Sequence, residues 1–182
     1  MLKGNYRFII RFLGFTLVLV GIYELMDYLN ELNNWYRSDV FTYGSAIQTL
    51  AFLRLFDHFH MEYFDGIMKG FEIYLNETPL VSVVPECNGF LLMVLFLGFL
   101  YARETGFKNN FYFALAGIFL INGLNVLRIA GLTFVVLNDD SMFYKVKPIF
   151  NGVLYLVVFT LWYVHLRYYS VKEDKLDSPN QI

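Results

Sequence analysis

Residues 111–137 form an apolar run of 27 residues with a single charge, Arg128, inside it. A helix crosses a hydrocarbon core of about 30 Å with roughly 20 apolar residues, and it satisfies its own backbone hydrogen bonds on the way. A run of this length therefore predicts a membrane-spanning helix. Further apolar runs lie at 8–28, 89–102 and 148–165. Only 16% of the 182 residues are charged, against 57% hydrophobic, where a soluble domain carries about 25% charged residues. That balance excludes a disordered chain, a nucleic-acid binder and an ordinary cytosolic enzyme. The expected fold is an all-α polytopic membrane protein with about four to six transmembrane helices. Residues 1–182 make a single membrane-embedded domain, with no room for a large soluble one. A net charge of -2 points to no particular partner besides the lipid bilayer.

Lys3 and Arg7 precede the first run and Arg11 lies in its first turn. No small-x-small cleavage site follows it, and Glu24 and Asp27 interrupt its end, so it reads as a retained helix rather than a signal peptide. The tendency of basic residues to stay on the cytoplasmic side places the N-terminus, the loop with Arg103 and Lys108, and the tail 170–182 inside. Four crossings satisfy these assignments and leave an extracytoplasmic insert at about 30–86 and a loop at 138–147. Lys145 and Lys147 run against this orientation and are offset by Asp139 and Asp140. The stretch 41–56 is interrupted by Gln48 and Arg54 and followed by Asp57; it reads as an amphipathic or partly inserted helix packed on the outer side. Residues 71–75 and 80–84, joined by turn residues at 76–79, predict a short extracytoplasmic β-hairpin. Gly117, Gly123, Ala130 and Gly131 suit close helix packing.

Cys87 is the only cysteine, which rules out an internal disulfide and a cysteine-built zinc site; no metal or cofactor is expected. Pro85 suits the first position of a helix. A helix from Pro85 to Arg103 measures about 28 Å and holds Cys87 in its first turn, where free N–H groups and the helix dipole favour a thiolate. The competing account is a buried cysteine acting as a small hydrophobe. Arg128 is expensive inside a span unless it faces protein or water. It lies about 26 Å along its helix, towards the outer face, with Asn122 and Asn125 on the same side. Its competing account is an ion pair with Glu24 or Asp27. Asn151 lies one turn into the last run, and Cys87, Arg128 and Asn151 all fall near the outer face. A cysteine nucleophile, a cationic oxyanion stabiliser and a polar orienting group make a workable acyl-transfer set. Glu86, Asn88 and Asn125 beside them are candidate substrate contacts. His165 is roughly 21 Å deeper than Asn151 on one helix, out of reach. His58 and His60 read as surface residues of the insert.

The segment Pro85-Glu86-Cys87-Asn88-Gly89-Phe90 resembles the nucleophile motif of the exosortase and archaeosortase family, a cysteine followed by a small residue, glycine and an apolar residue. Asn125-Val126-Leu127-Arg128 resembles the Asn-x-x-Arg motif of a later span, and Phe150-Asn151-Gly152 the third motif in its Asn form. The likeness covers residues 71–162 and points to the compact bacterial forms, such as the exosortase F type. It implies a cysteine transpeptidase of the bacterial inner membrane. The implied partner is the C-terminal sorting-signal helix of exported proteins, and an unspecified nucleophile accepts the cleaved chain. Cys87 would attack, Arg128 stabilise the oxyanion and Asn151 orient the substrate or a water. No His lies near Asn151, a departure that bears on proton transfer. Two other readings stand beside this one: a non-catalytic assembly subunit with a structural Arg128–Glu24 pair, and a small transporter using the Glu24, Asp27 and Arg128 stripe.

Overall fold

The computed structural model describes residues 2–33, 39–65, 69–103 and 107–176. In chain order these form α1 (Leu2–Asn33), α2 (Val40–Leu53), β1 (Phe59–Asp65), β2 (Lys69–Leu75), β3 (Thr78–Val83), α3 (Phe90–Ala102), α4 (Phe107–Asn138) and α5 (Phe143–Leu176). Short 3-10 turns at Pro85–Cys87 and Asp140–Met142 lead into α3 and α5. Among the described residues, three helical stretches are long and apolar enough to cross a membrane: Tyr6–Asn30, Phe111–Asn138 and Asp140–Arg167. The expectation of a mainly helical membrane protein holds at that level.

The helix expected from Pro85 to Arg103 is shorter in the structure. Here α3 has 13 residues, about 20 Å of helix, well short of a hydrocarbon core of about 30 Å. The helix does not begin at Pro85 because Gly89, with φ 74°, breaks the path between the 3-10 turn and Phe90. Ring contacts fix the direction of α3. Phe90 stacks on Tyr23 at 4.3 Å, Phe99 meets Phe8 at 5.7 Å and Tyr101 stacks on Phe15 at 4.5 Å. Its start thus lies beside the end of α1 and its end beside the beginning of α1, which makes the two antiparallel. On its other side α3 buries Phe96 and Leu100 with Ile121 of α4 and Val158 of α5.

The last helix starts at Phe143, five residues before the expected 148, and carries Pro148 inside it. It continues to Leu176, so the first part of the expected tail is helical, and 177–182 lie outside the described residues. Of the expected loop 103–110, residues 104–106 lie outside the described residues and the rest from Phe107 belongs to α4.

Helix α2 fills the place of the amphipathic segment at 41–56. At 14 residues it measures about 21 Å. Asp39 caps its start by accepting from Thr42 N at 2.9 Å. One face, with Ser45, Ala46, Thr49, Leu50 and Leu53, is buried against α4 and the sheet. The expected hairpin is present as β2–β3, but it is part of a three-stranded antiparallel sheet in the order β1-β2-β3. The turn is tighter than 76–79. Asn76 takes a left-handed conformation with φ 56°, which asparagine tolerates, and Thr78 and Pro79 already belong to β3. The register sets Phe59, Met61 and Tyr63 of β1 opposite Leu75, Ile73 and Phe71 of β2. Val81 and Val83 of β3 face Ile73 and Phe71. These residues make one apolar face, which packs on Ala46, Leu50 and Leu53 of α2 and on Ile129, Ala130 and Leu132 of α4. The sheet thereby stands on the end of α4 that carries Arg128, and β3 delivers the chain directly to Cys87.

Candidate active site

Val84 is extended, and Pro85 opens a three-residue turn closed by Cys87 N to Val84 O at 2.7 Å. Gly89 then bends the chain through the left-handed region, where only glycine fits without strain. A Cβ there would stand 3.1 Å from Asn125 Cγ, so the bend lies directly on α4. Cys87 therefore sits in a short turn before α3, not in the first turn of a long helix. A three-residue turn sums too few peptide dipoles to act as a helix end, and the dipole argument for its thiolate loses its premise.

What the bend achieves is a different convergence. The Cys87 carbonyl points at α4 and accepts from Asn125 Nδ2 at 3.0 Å and Arg128 Nη2 at 3.5 Å. Asn125 is fully buried and Arg128 is 8% exposed. Asn125 Oδ1 and Arg128 Nε are buried with no hydrogen-bond partner, so both side chains keep unused capacity beside the cysteine. The thiol is free and half-buried. Asn122, a turn earlier on α4, donates to Gln48 Oε1 of α2 at 2.6 Å. The polar stripe on α4 thus divides its labour: its first member ties α2, and the next two hold the Cys87 peptide.

Asn88 is the second anchor. Its Nδ2 lies 3.3 Å from Asp39 Oδ1, 3.2 Å from Thr42 Oγ1 and 3.4 Å from the Tyr23 hydroxyl. Its Oδ1 accepts from Phe90 N at 2.9 Å, and its carbonyl accepts from Ser45 Oγ at 3.1 Å. The side chain is 2% exposed. An amide spent on internal partners joins α1, α2 and α3; it has no face left for a substrate. Glu86 is exposed at the same turn.

Asn151 is not hydrogen-bonded to this group. It lies in α5, its Oδ1 is buried without a partner, and no hydrogen bond joins it to Cys87, Asn125 or Arg128. It is also nine residues into its helix rather than one turn, since α5 begins at Phe143. The neighbouring Phe150 packs its ring on Gly131 of α4, where a Cβ would lie 2.9 Å from it. Arg128 pairs with no carboxylate among the described residues, and Glu24 is exposed on α1, whose main packing partner is α3. His165 is fully buried against Phe99 and Phe113 in the α3–α4–α5 core. His58 is exposed, whereas His60 is half-buried on β1 and stacks on Tyr74 at 5.4 Å. Among the described residues no group of three His, Cys, Asp or Glu is placed to hold a metal ion.

The chain matches no protein-family model, no curated protein and no solved structure. Its function is therefore argued from its own geometry.

Sequence reasoning had singled out Cys87, Asn88, Asn125 and Arg128, but not Asp39, Tyr23, Thr42 or Ser45, which fix Asn88 in place. Asp39 did carry a signal: an aspartate directly before an apolar run is a helix-start pattern.

Proposed function

We propose that the chain is a membrane-embedded cysteine transpeptidase resembling the exosortases. It would act on the C-terminal sorting signal of exported proteins and pass them to a new acceptor. The observation that carries this reading is the meeting of Asn125 and Arg128 on the Cys87 peptide. A charged side chain buried within a span needs a reason, and here it is drawn to the one residue in the chain that can form a thioester. In the proposed reaction Cys87 sulfur adds to the scissile carbonyl. The negative charge that develops on oxygen falls near the Arg128 guanidinium, whose planar fork has donors to spare. Collapse breaks the C–N bond, and the thiol proton ends on the departing amine. An acceptor nucleophile then breaks the thioester, and its proton returns to sulfur. Asn125 is a positioning residue in this scheme, because its amide holds the Cys87 carbonyl and with it the turn. Asn151, whose Oδ1 has no hydrogen-bond partner, would orient the substrate carbonyl or a water. The inner-membrane location, the outward-facing site and the return of the chain across the bilayer through α3 belong to the same proposal.

The test is cleavage of a co-expressed protein bearing a tripartite C-terminal tail. Cys87→Ala should remain folded and inserted, since truncating a small side chain costs about 1 kcal/mol, yet it should leave the tail uncut. Normal cleavage by Cys87→Ala at normal protein level would remove the cysteine mechanism.

A further inference from the structure

A recess of about 320 Å³ opens between the end of α1 and the start of α2. Tyr23, Met26, Asp27 and Asn30 line it from α1, and Asp39 and Phe41 from the other side. Asp39 is 7% exposed. Its Oδ1 accepts from Thr42 N at 2.9 Å and Asn88 Nδ2 at 3.3 Å. Its Oδ2 is buried and makes no hydrogen bond of good geometry, and the Tyr23 hydroxyl is a further described donor close to the carboxylate. The described lining includes no Lys or Arg. A carboxylate withdrawn from water with one oxygen unsatisfied is unfavourable unless a cation or donor meets it. Met26, Phe41 and the Tyr23 ring make the remaining wall largely apolar, and Tyr23 and Phe41 pack at 5.9 Å.

The occupant that complements such a wall has a compact cationic head with several donors and an apolar stem. A primary ammonium offers three donors; a quaternary ammonium offers none. We propose that this recess binds a primary ammonium group carried on an apolar chain, with Asp39 Oδ2 as its counter-ion. Two sources share that chemistry, an aminophospholipid headgroup and a free long-chain amine. The site lies beside the Cys87 turn, because Asn88, which follows Cys87, holds Asp39. The inference goes beyond the transfer reaction and is tested without it.

The first arm is titration of the detergent-solubilised full chain with n-decylamine and with decyltrimethylammonium. The expected result is saturable binding of the primary amine and weaker binding of the quaternary one. Asp39→Asn keeps a side-chain oxygen for the α2 cap and removes the charge, so it should weaken decylamine binding about tenfold or more. Met26→Trp, which leaves Asp39 intact and fills the recess, should weaken it too. The second arm is native mass spectrometry of protein recovered from vesicles of phosphatidylethanolamine and phosphatidylcholine. Retention of phosphatidylethanolamine that Asp39→Asn abolishes would identify the lipid as the source, and decylamine binding without lipid retention would identify the free amine. Equal binding of both amines, or decylamine binding unchanged in folded Asp39→Asn and Met26→Trp proteins, would overturn the site. Because no sorting substrate is present, that failure is distinct from a failure of the transpeptidase reading.

Discussion

The Cys87 peptide is held at its carbonyl, not its thiol, and two substitutions separate geometry from charge there. Gly89→Ala places a methyl group 3.1 Å from Asn125 Cγ at a φ of 74°. Left-handed backbone costs a non-glycine residue about 1–2 kcal/mol, so the turn should shift and cleavage should fall about tenfold or more, with insertion preserved. Cleavage at the wild-type rate in Gly89→Ala would detach the turn from the chemistry. Arg128→Lys keeps the charge and loses the planar fork. It should not restore activity, and near wild-type processing by this variant would favour simple charge neutralisation. At this scale the sequence was informative where a rare residue type stood in or beside an apolar run: Arg128 and Asn125 were visible because each is costly there without a purpose, and Cys87 because it is the only cysteine. It misled about Cys87 itself. Pro85 marks a helix start equally well for a 3-10 turn, and whether Gly89 continues or breaks the helix depends on the approach of Asn125, a residue 36 positions away. Depth groups Asn151 with the others, but depth does not specify which way a helix turns its side chain, and no hydrogen bond links it to them.

Helix pairs in a membrane depend on close fit rather than on exclusion of water, and the glycines show where the fit is tight. A Cβ on Gly98 of α3 would lie 2.6 Å from Thr16 Oγ1 and 3.4 Å from the Phe12 ring of α1. A Cβ on Gly14 of α1 would meet nothing within 4 Å. Gly98→Leu should therefore force α1 from α3 and destabilise by about 1–3 kcal/mol, whereas Gly14→Leu should be near neutral. Thermal unfolding of the two variants in detergent checks this, and an equal effect would contradict the α1–α3 packing. Gly117 and Gly131, expected from sequence as packing glycines, meet the rings of Phe96 and Phe150, while Gly123 faces open space. Composition identifies small residues but not the partner helix. The sheet was half legible. Its β2–β3 hairpin announced itself through β-branched residues and a turn, but β1 was overlooked. Phe59, Met61 and Tyr63 do alternate with polar or less buried neighbours, and Asp65-Gly66 at the end of the run is a turn signal, yet the run lacks β-branched residues. Its membership of the sheet comes from the face it shares with β2.

For the molecule as a whole, the antiparallel run of α3 along α1 supports the proposed topology. With α1, α4 and α5 as the only crossings, the termini would lie on opposite sides. If α3 returns the chain across the bilayer, as proposed above, both termini lie on one side, and its contacts with Phe8 and Phe15 fit such an antiparallel return. Reporter fusions at each end should both register cytoplasmic, and an outward C-terminus would contradict the return passage and the shared site. A short α3 suits that role because Phe90 at its start packs on Tyr23 and Phe41 and Tyr101 near its end stacks on Phe15. Protein packing at both ends of a short helix reduces the length of chain that has to face lipid. The central claim, however, is chemical. Its most direct measurement is mass spectrometry of the peptide containing Cys87, from full-length protein co-expressed with a tripartite-tailed substrate. The account predicts a substrate-derived acyl group on Cys87 that neutral hydroxylamine removes. It also predicts accumulation of that adduct when the acceptor is depleted, and no adduct in Arg128→Lys. An unmodified Cys87 while the substrate is being cleaved would contradict it.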